Sequence, residues 1–292
     1  MKRITTLIVL FAFAKAIPAA AQTEFKAIAK YTSQTKMPIK ADSAVQKKMA
    51  ADPMYKQIME QIQKGSTADY VMNFTATESY YKEEEKLATP GGANSDFSIT
   101  ISSSTSGSEI YKNLVTQQRI QQGDIMGKPF VIVDSLNTYS WELHNESKEI
   151  GGFTCFKATY TPEIEKDAED QEEKEEKNQD ETQEENTSIF SMVDSSFDPV
   201  ITAWYTPDVQ VSHGPGAYHG LPGLIVELQE NNTIILLTSL EINPKEKLQI
   251  VKPNQGKKLS QEKFDELFKK KIEERQKKQS RSSGGTYFFR AG

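Results

Sequence analysis

Cysteine is almost missing from this chain. Cys155 is the single one among 292 residues, so no disulfide can form within the molecule. Metal cages made from several thiolates are excluded on the same count. Histidine is nearly as scarce, with His144, His213 and His219 the full set. A phosphate-cradling Walker loop is absent, and so is a dinucleotide fingerprint after a strand. There is no G-x-S-x-G elbow of the kind that presents a hydrolase serine. Lysines and arginines are not interleaved with aromatic residues in any one stretch, which argues against a nucleic-acid surface. Past the first two dozen residues, no apolar run approaches the roughly 20 residues that a membrane-spanning helix requires.

What is present begins with a leader pattern. Lys2 and Arg3 precede an apolar run over residues 4–13, and Ala19-Ala20-Ala21 supplies an A-x-A site. This predicts a signal peptide over residues 1–21, cleavage near Ala21-Gln22, and export to the periplasm or beyond. Residues 165–185 carry twelve acids and three lysines with no large apolar side chain. Such a segment cannot offset its ordering entropy, and a disordered insertion is expected over residues 163–190. The helical propensity of its Glu, Lys and Gln residues keeps helix open as an alternative. The formal charge of the chain is −6. The leader removes three positive charges and the insertion holds the −9 that remains, so the core is neutral. Residues 256–292 are the reverse, with eleven basic and five acidic residues. A helix is predicted there over residues 259–278, capped by Ser260, with Leu259, Phe264, Leu267, Phe268 and Ile272 as its apolar stripe. Its basic face can be simply solvated, dock on the acidic insertion, or meet an anionic lipid or polymer.

Between these ends the apolar period is mostly two. Residues 27–31, 70–76, 110–114, 116–120, 130–133, 139–143, 153–160, 200–205, 224–230, 233–242 and 248–251 read as strands. Turn signals separate them at Gly123-Asp124, at Gly151-Gly152 and at Asn231-Asn232, the last a two-residue hairpin turn. Residues 234–237 are apolar on both parities and should form a central strand. Residues 200–205 should pair with 153–160, which makes the acidic segment an enlarged hairpin loop. Residues 43–64 show helical spacing, broken at Asp52-Pro53. The expected organisation is a leader (1–21), a strand and helical segment (22–66), an antiparallel β domain with the insertion (67–255) and a basic helix and tail (256–292). The fold class is mainly β, a curved antiparallel sheet or half-barrel with packed N-terminal and C-terminal helices.

One stretch concentrates the unusual residues. Residues 204–228 hold Trp204, Gly214, Pro215, Gly216, Gly220, Pro222, Gly223 and two of the three histidines. Glycine admits positive φ and close backbone approach, and proline fixes φ, so the loop is a series of specified turns. His213, His219 and Cys155 are the candidate metal ligands, with Asp208 able to join. His-x₅-His is a weak signal beside the plainer reading, histidines that bond turn backbone. Cys155 lies in an alternating run and reads as a buried, inert thiol. No catalytic residue and no cofactor is predicted. The preferred function is non-enzymatic binding, carriage or assembly, with an apolar or lipid ligand by analogy with half-barrel lipid carriers. In that picture the helix over 43–64 covers the cavity mouth. The alternative is a metal-binding protein or metal-dependent hydrolase built on His213, His219 and Cys155.

Gly220-Leu221-Pro222-Gly223-Leu224-Ile225 spells the hexapeptide after which the GLPGLI family is named, and the chain resembles that family in further motifs. Trp141-Glu142-Leu143 resembles its W-x-L. Residues 150–158 resemble its I-x-G-[YF]-x-C-x-K-A element, and 203–206 its AWYT. Gly214-Pro215 with Tyr218 resembles the G-P-x-x-[YF] ahead of the hexapeptide. The similarity spans roughly residues 74–242; the long insertion and basic tail depart from the pattern. The resemblance implies an exported, mainly antiparallel β protein of Bacteroidota type with no established catalytic residues. It also implies an envelope setting near outer-membrane TonB-dependent transporters, one of which is a possible partner. The structural motif is then Trp204, Gly214, Pro215, Tyr218, Gly220, Leu221, Pro222, Gly223, Leu224 and Ile225.

Overall fold

The computed structural model describes residues 25–36, 65–84, 109–162 and 199–282, with a few helical positions between 50 and 60. The helical segment predicted over 43–64 lies outside the described residues apart from those positions. The acidic insertion lies outside them too.

The described strands are β1 (Lys26–Thr35), β2 (Ser66–Thr75), β3 (Glu78–Glu83), β4 (Ile110–Asn113), β5 (Gln118–Ile125) and β6 (Lys128–Ser135). They continue with β7 (Glu142–Ile150), β8 (Phe153–Tyr160), β9 (Ile201–Thr206), β10 (Leu224–Glu230), β11 (Thr233–Ile242) and β12 (Lys257–Leu259), before one helix, α1 (Gln261–Ser282). All twelve join one sheet in the order β12-β6-β5-β4-β3-β2-β1-β11-β10-β9-β8-β7. Two runs of hairpins, β1–β6 and β7–β11, meet where β1 pairs with β11. The order is that of an up-and-down barrel cut between β6 and β7.

The sheet is curled. Arg119 and Gln121 of β5 share a cleft with Tyr160 of β8 and Ile201 of β9. In a flat sheet β5 and β9 would lie roughly 30 Å apart, at about 4.8 Å per strand. Inside the curl, Tyr31 and Tyr81 are fully buried beside Tyr70, whose ring stacks on Tyr81 at 4.9 Å.

Several expectations hold to the residue. The Asn231-Asn232 turn joins β10 and β11, with Asn231 in the left-handed region at φ 51° that asparagine tolerates. β8 pairs antiparallel with β9, as expected of the strands on either side of the insertion. β11 is central, yet Ile234 and Leu236 are exposed on its outer side, because no element among the described residues covers that part of the face. Other expectations shift. Residues 139–141 precede β7 instead of belonging to it. Residues 248–251 form no strand. Their segment crosses the outer face at an angle to the strands: Asn73 of β2 donates to Gln249 O, Lys252 lies 4.8 Å from the ring of Tyr111 on β4, and Gln122 of β5 donates to Gln255 O. Having crossed over, the chain can only enter β12 parallel to β6, the one parallel pairing in the sheet. α1 then packs on the inner face, with Phe264 against Phe130 and Gly123. Its first N–H donates to Asp134 Oδ2 at 3.1 Å, and the predicted cap Ser260 faces the Lys263 N–H at 3.4 Å.

A loop-filled interior and its ligand cleft

Residues 207–223 do not project from the sheet. They fold into its concave side, and His213, Gly214, Pro215, Gly216, Tyr218, His219 and Leu221 are all buried there. A backbone bridge joins His213 to His219, and Ile225 N–H donates to His213 O. Side chains from β4 and from the segment just before β7 then hold the loop, and one from β1 holds the start of the strand that follows it. Lys112 Nζ of β4 donates to Gly214 O at 2.9 Å and Tyr218 O at 2.7 Å. Trp141 Nε1 donates to His219 O at 2.9 Å, and the Tyr31 hydroxyl donates to Ile225 O at 2.8 Å. Two glycines are required on geometric grounds. Gly220 sits at φ +96°, and a Cβ on Gly223 would stand 2.1 Å from Thr206 O.

The motif residues therefore form one unit, with one exception. Leu221, Leu224 and Ile225 are core. Trp204 alternates with the buried Ala203 and Tyr205 and faces the other side of the sheet, where Lys148 Nζ lies 4.2 Å from its ring. Lys148 also pairs with the buried Glu227 at 2.8 Å.

The candidate metal ligands are placed as follows. His213 is completely buried and neither ring nitrogen has a hydrogen-bond partner. Burial, then the Lys112 ammonium, pushes its pKa down to about 3; the Thr75 backbone opposes this without reaching hydrogen-bonding geometry. Burial likewise lowers His219 to about 4, and its Nδ1 lies 3.1 Å from Ala217 O. Cys155 is buried on β8, and burial raises its thiol to about 11. Its charged neighbours are Glu149, Lys148, Glu227 and Asp208, not the histidines. Among the described residues, no three His, Cys, Asp or Glu side chains are arranged to hold a metal ion. His144 of β7 bonds Thr159 at 2.7 Å, away from the loop.

Beside the loop lies a cleft of 340 Å³, lined by Arg119, Gln121, Asn137, Tyr139, Tyr160, Tyr218 and Glu230 among others. Tyr139 is the hub of its aromatic wall, with ring centroids 5.3 Å from Tyr160, 5.2 Å from Tyr218 and 5.7 Å from Trp141. Burial raises the Tyr139 hydroxyl to about 12, and raises Tyr218 further, with Glu230 as its hydrogen-bond partner. A second hollow, of 510 Å³, is more open and has no charged or aromatic side chain in its lining.

Sequence reasoning singled out the loop but missed the side chains that face it. Lys112 and Arg119 sit in short strands among polar residues, where alternation reads a charged side chain as solvent-facing. Only the sheet's curl and the infolded loop bury them. Trp141 was visible through its W-x-L motif, without a role.

Residues 141–227, from Trp141 at the edge of β7 to Glu227 in β10, match the model of a family described as a protein of unknown function, Porph_ging. No curated relative matches the chain. Two solved structures with a similar outline, PNGF-II in a C2 and in a P21 crystal form, are each 12% identical, with TM-scores of 0.46 and 0.44. Either covers 85% of this chain, which spans about a third of the length of those proteins.

Proposed function

We propose that this chain is an exported, non-enzymatic binding protein of the GLPGLI type, with its ligand seated in the cleft between β5 and β8–β10. The observation that carries this reading is the cleft itself. It is preformed, walled by three tyrosines, and furnished with converging polar groups in Arg119, Gln121, Asn137 and Glu230. Concave sites with apolar or aromatic walls and a few placed polar groups are how proteins hold small ligands, and 340 Å³ suits a small one. The histidines support a binding role over catalysis. General acid–base work needs a group that reaches substrate with a pKa near the working pH. His213 is sealed in the core and both loop histidines are held neutral.

The leader pattern over residues 1–21 supports export to the periplasm. The motif resemblance supports an envelope setting, with an outer-membrane TonB-dependent transporter as the partner to which ligand or protein is handed. The ligand need not be the lipid suggested by half-barrel carriers, since the loop occupies the inner face such carriers leave open.

Native mass spectrometry of the mature protein purified from its own envelope tests the reading. A retained small-molecule adduct is expected, and it should be lost when Ala217→Trp fills the cleft. No adduct, or one equally retained by the Ala217→Trp variant, would overturn it.

A further inference from the structure

The inner face of the sheet carries a polar row that its own neighbours do not satisfy. Ser79 of β3 stands opposite Lys112 of β4, Lys112 opposite Arg119 of β5, and Arg119 opposite Asp134 of β6. Side chains paired across antiparallel strands share one face, about 5 Å apart at Cβ. Two basic side chains are thus adjacent, and both are buried, Lys112 at 0% exposure and Arg119 at 9%. Like charges in that position are destabilising, and a buried charge without a counter-ion costs more still.

Among the described residues the acid in register with this row is Asp134, at its end. Lys112 is held by two backbone carbonyls. Arg119 Nη2 donates to the neutral Gln261 Oε1 at 3.0 Å, and Arg119 Nε has no partner. Asp134, the acid across the strand, accepts the Gln261 and Ser135 N–H groups, and the Arg119 charge adds to holding its carboxyl below the usual carboxylate range. Ser79 Oγ is also unpartnered. Glu230, on the far side of the cleft, is taken by Tyr218. Arg119 lines the cleft directly, between the infolded loop and the start of α1, with Tyr139, Tyr160 and Tyr218 around it.

Given that the cleft is a ligand seat, we propose that it recognises a carboxylate attached to a planar or apolar body. Arg119 is the anchor for the carboxylate, the tyrosines receive the body, and Gln121 and Asn137 select its orientation. A guanidinium is the side chain whose fork of N–H donors matches a carboxylate, and a ligand anion meets the Arg119 Nε–H that no protein group accepts. Tyrosine rings offer flat apolar faces at low entropic cost. A free aromatic acid and the C-terminus of a peptide share this chemistry.

Calorimetric titration of the full chain at pH 7 separates the possibilities. Benzoate is expected to bind, with benzamide, its neutral isostere, at least about tenfold weaker, the ratio that one charge-assisted hydrogen bond supports. Arg119→Met should abolish the preference for benzoate, and Tyr160→Ala should weaken both probes several-fold while keeping it. Tighter binding of N-acetyl-phenylalanine than of benzoate assigns the site to peptide C-termini; the reverse assigns it to free acids. Equal binding of benzoate and benzamide by the unaltered chain overturns the proposal, as does an unchanged preference in a folded Arg119→Met variant. An adduct lost in the Ala217→Trp variant, together with no heat from any carboxylate, would sink the carboxylate assignment and leave the cleft as a binding site.

Discussion

Two sets of polar groups meet on the inner face of this sheet, and they are treated in opposite ways. The infolded loop brings a turn-rich backbone into the core, and the carbonyls of Gly214, Tyr218 and His219, with Ile225 at the start of β10, each receive a donor from a side chain far along the chain. The row of Ser79, Lys112 and Arg119 opposite it leaves a hydroxyl and a guanidinium nitrogen without partners. Buried polar groups in folded proteins are overwhelmingly paired, so the loop's backbone reads as structure, though its His213 ring goes unpaired, and the row, which lines a cleft through Arg119, reads as a site. The loop is the more distinctive in sequence. The row carries the stronger hint of function.

The largest effect should come from breaking the loop side. Gly223→Ala forces a Cβ to within 2.1 Å of the Thr206 carbonyl, so one backbone must move. A loss of at least about 3 kcal/mol or outright insolubility is expected, seen in thermal melts. Gly151, where an added Cβ meets nothing but φ is +57°, is the control, and alanine there should cost only about 1 kcal/mol.

Acid should come next. His213 and His219 titrate near 6.5 when unfolded but are depressed to about 3 and about 4 in the fold. The unfolded chain therefore binds more protons across that window. Their contribution is complete above pH 6.5 and is lost as pH falls through 4 and 3, by several kcal/mol on the order of 1.4 per pKa unit. The groups around His213 are Lys112, His219 and the Thr75 backbone, none of them acidic, so no counter-charge relieves the cost. Lys112, lowered by burial to about 7, extends the same rise of stability from neutral pH toward 10. Denaturant melts between pH 3 and 8 should show stability climbing throughout, with a flatter acid limb in His213→Phe. An unchanged acid limb in that variant would count against the assignment.

Trp141→Phe removes the hydrogen bond to His219 O while keeping a ring in the aromatic wall, and should cost about 1 kcal/mol in urea melts. The smallest effects, and the most diagnostic, belong to the row. Ser79→Ala deletes an unpartnered buried hydroxyl and should be neutral or stabilising by up to about 1 kcal/mol. Arg119→Met should likewise leave the ligand-free chain as stable or more so, as happens when buried charges give way to apolar groups. A large loss of stability from either change would make the row structural and erase the contrast with the loop.

Much of this fold was legible in the chain. The hairpin at Asn231-Asn232 and the pairing of residues 153–160 with 200–205 follow from local turn chemistry and period-two patterning, and both hold in the structure. The strand predicted over 248–251 fails because extended backbone that straps across a sheet has the same pattern as backbone that joins it. The loop was legible as a rigid set of turns, since glycine and proline act locally. Its infolding was not, because that depends on Lys112, Trp141 and Tyr31, which are 78 to 194 residues away along the chain from the groups they bind. The cationic row was invisible for the same reason: each member is an ordinary strand residue until curvature buries it.

The account stands most directly on the guanidinium of Arg119. In an NMR spectrum of the ¹⁵N-labelled full chain, its Nε–Hε resonance, assigned by its absence in Arg119→Lys, should shift progressively with added benzoate and remain in place with benzamide. A resonance indifferent to both, or equally moved by both, would contradict the claim that this buried cation is held ready for a carboxylate.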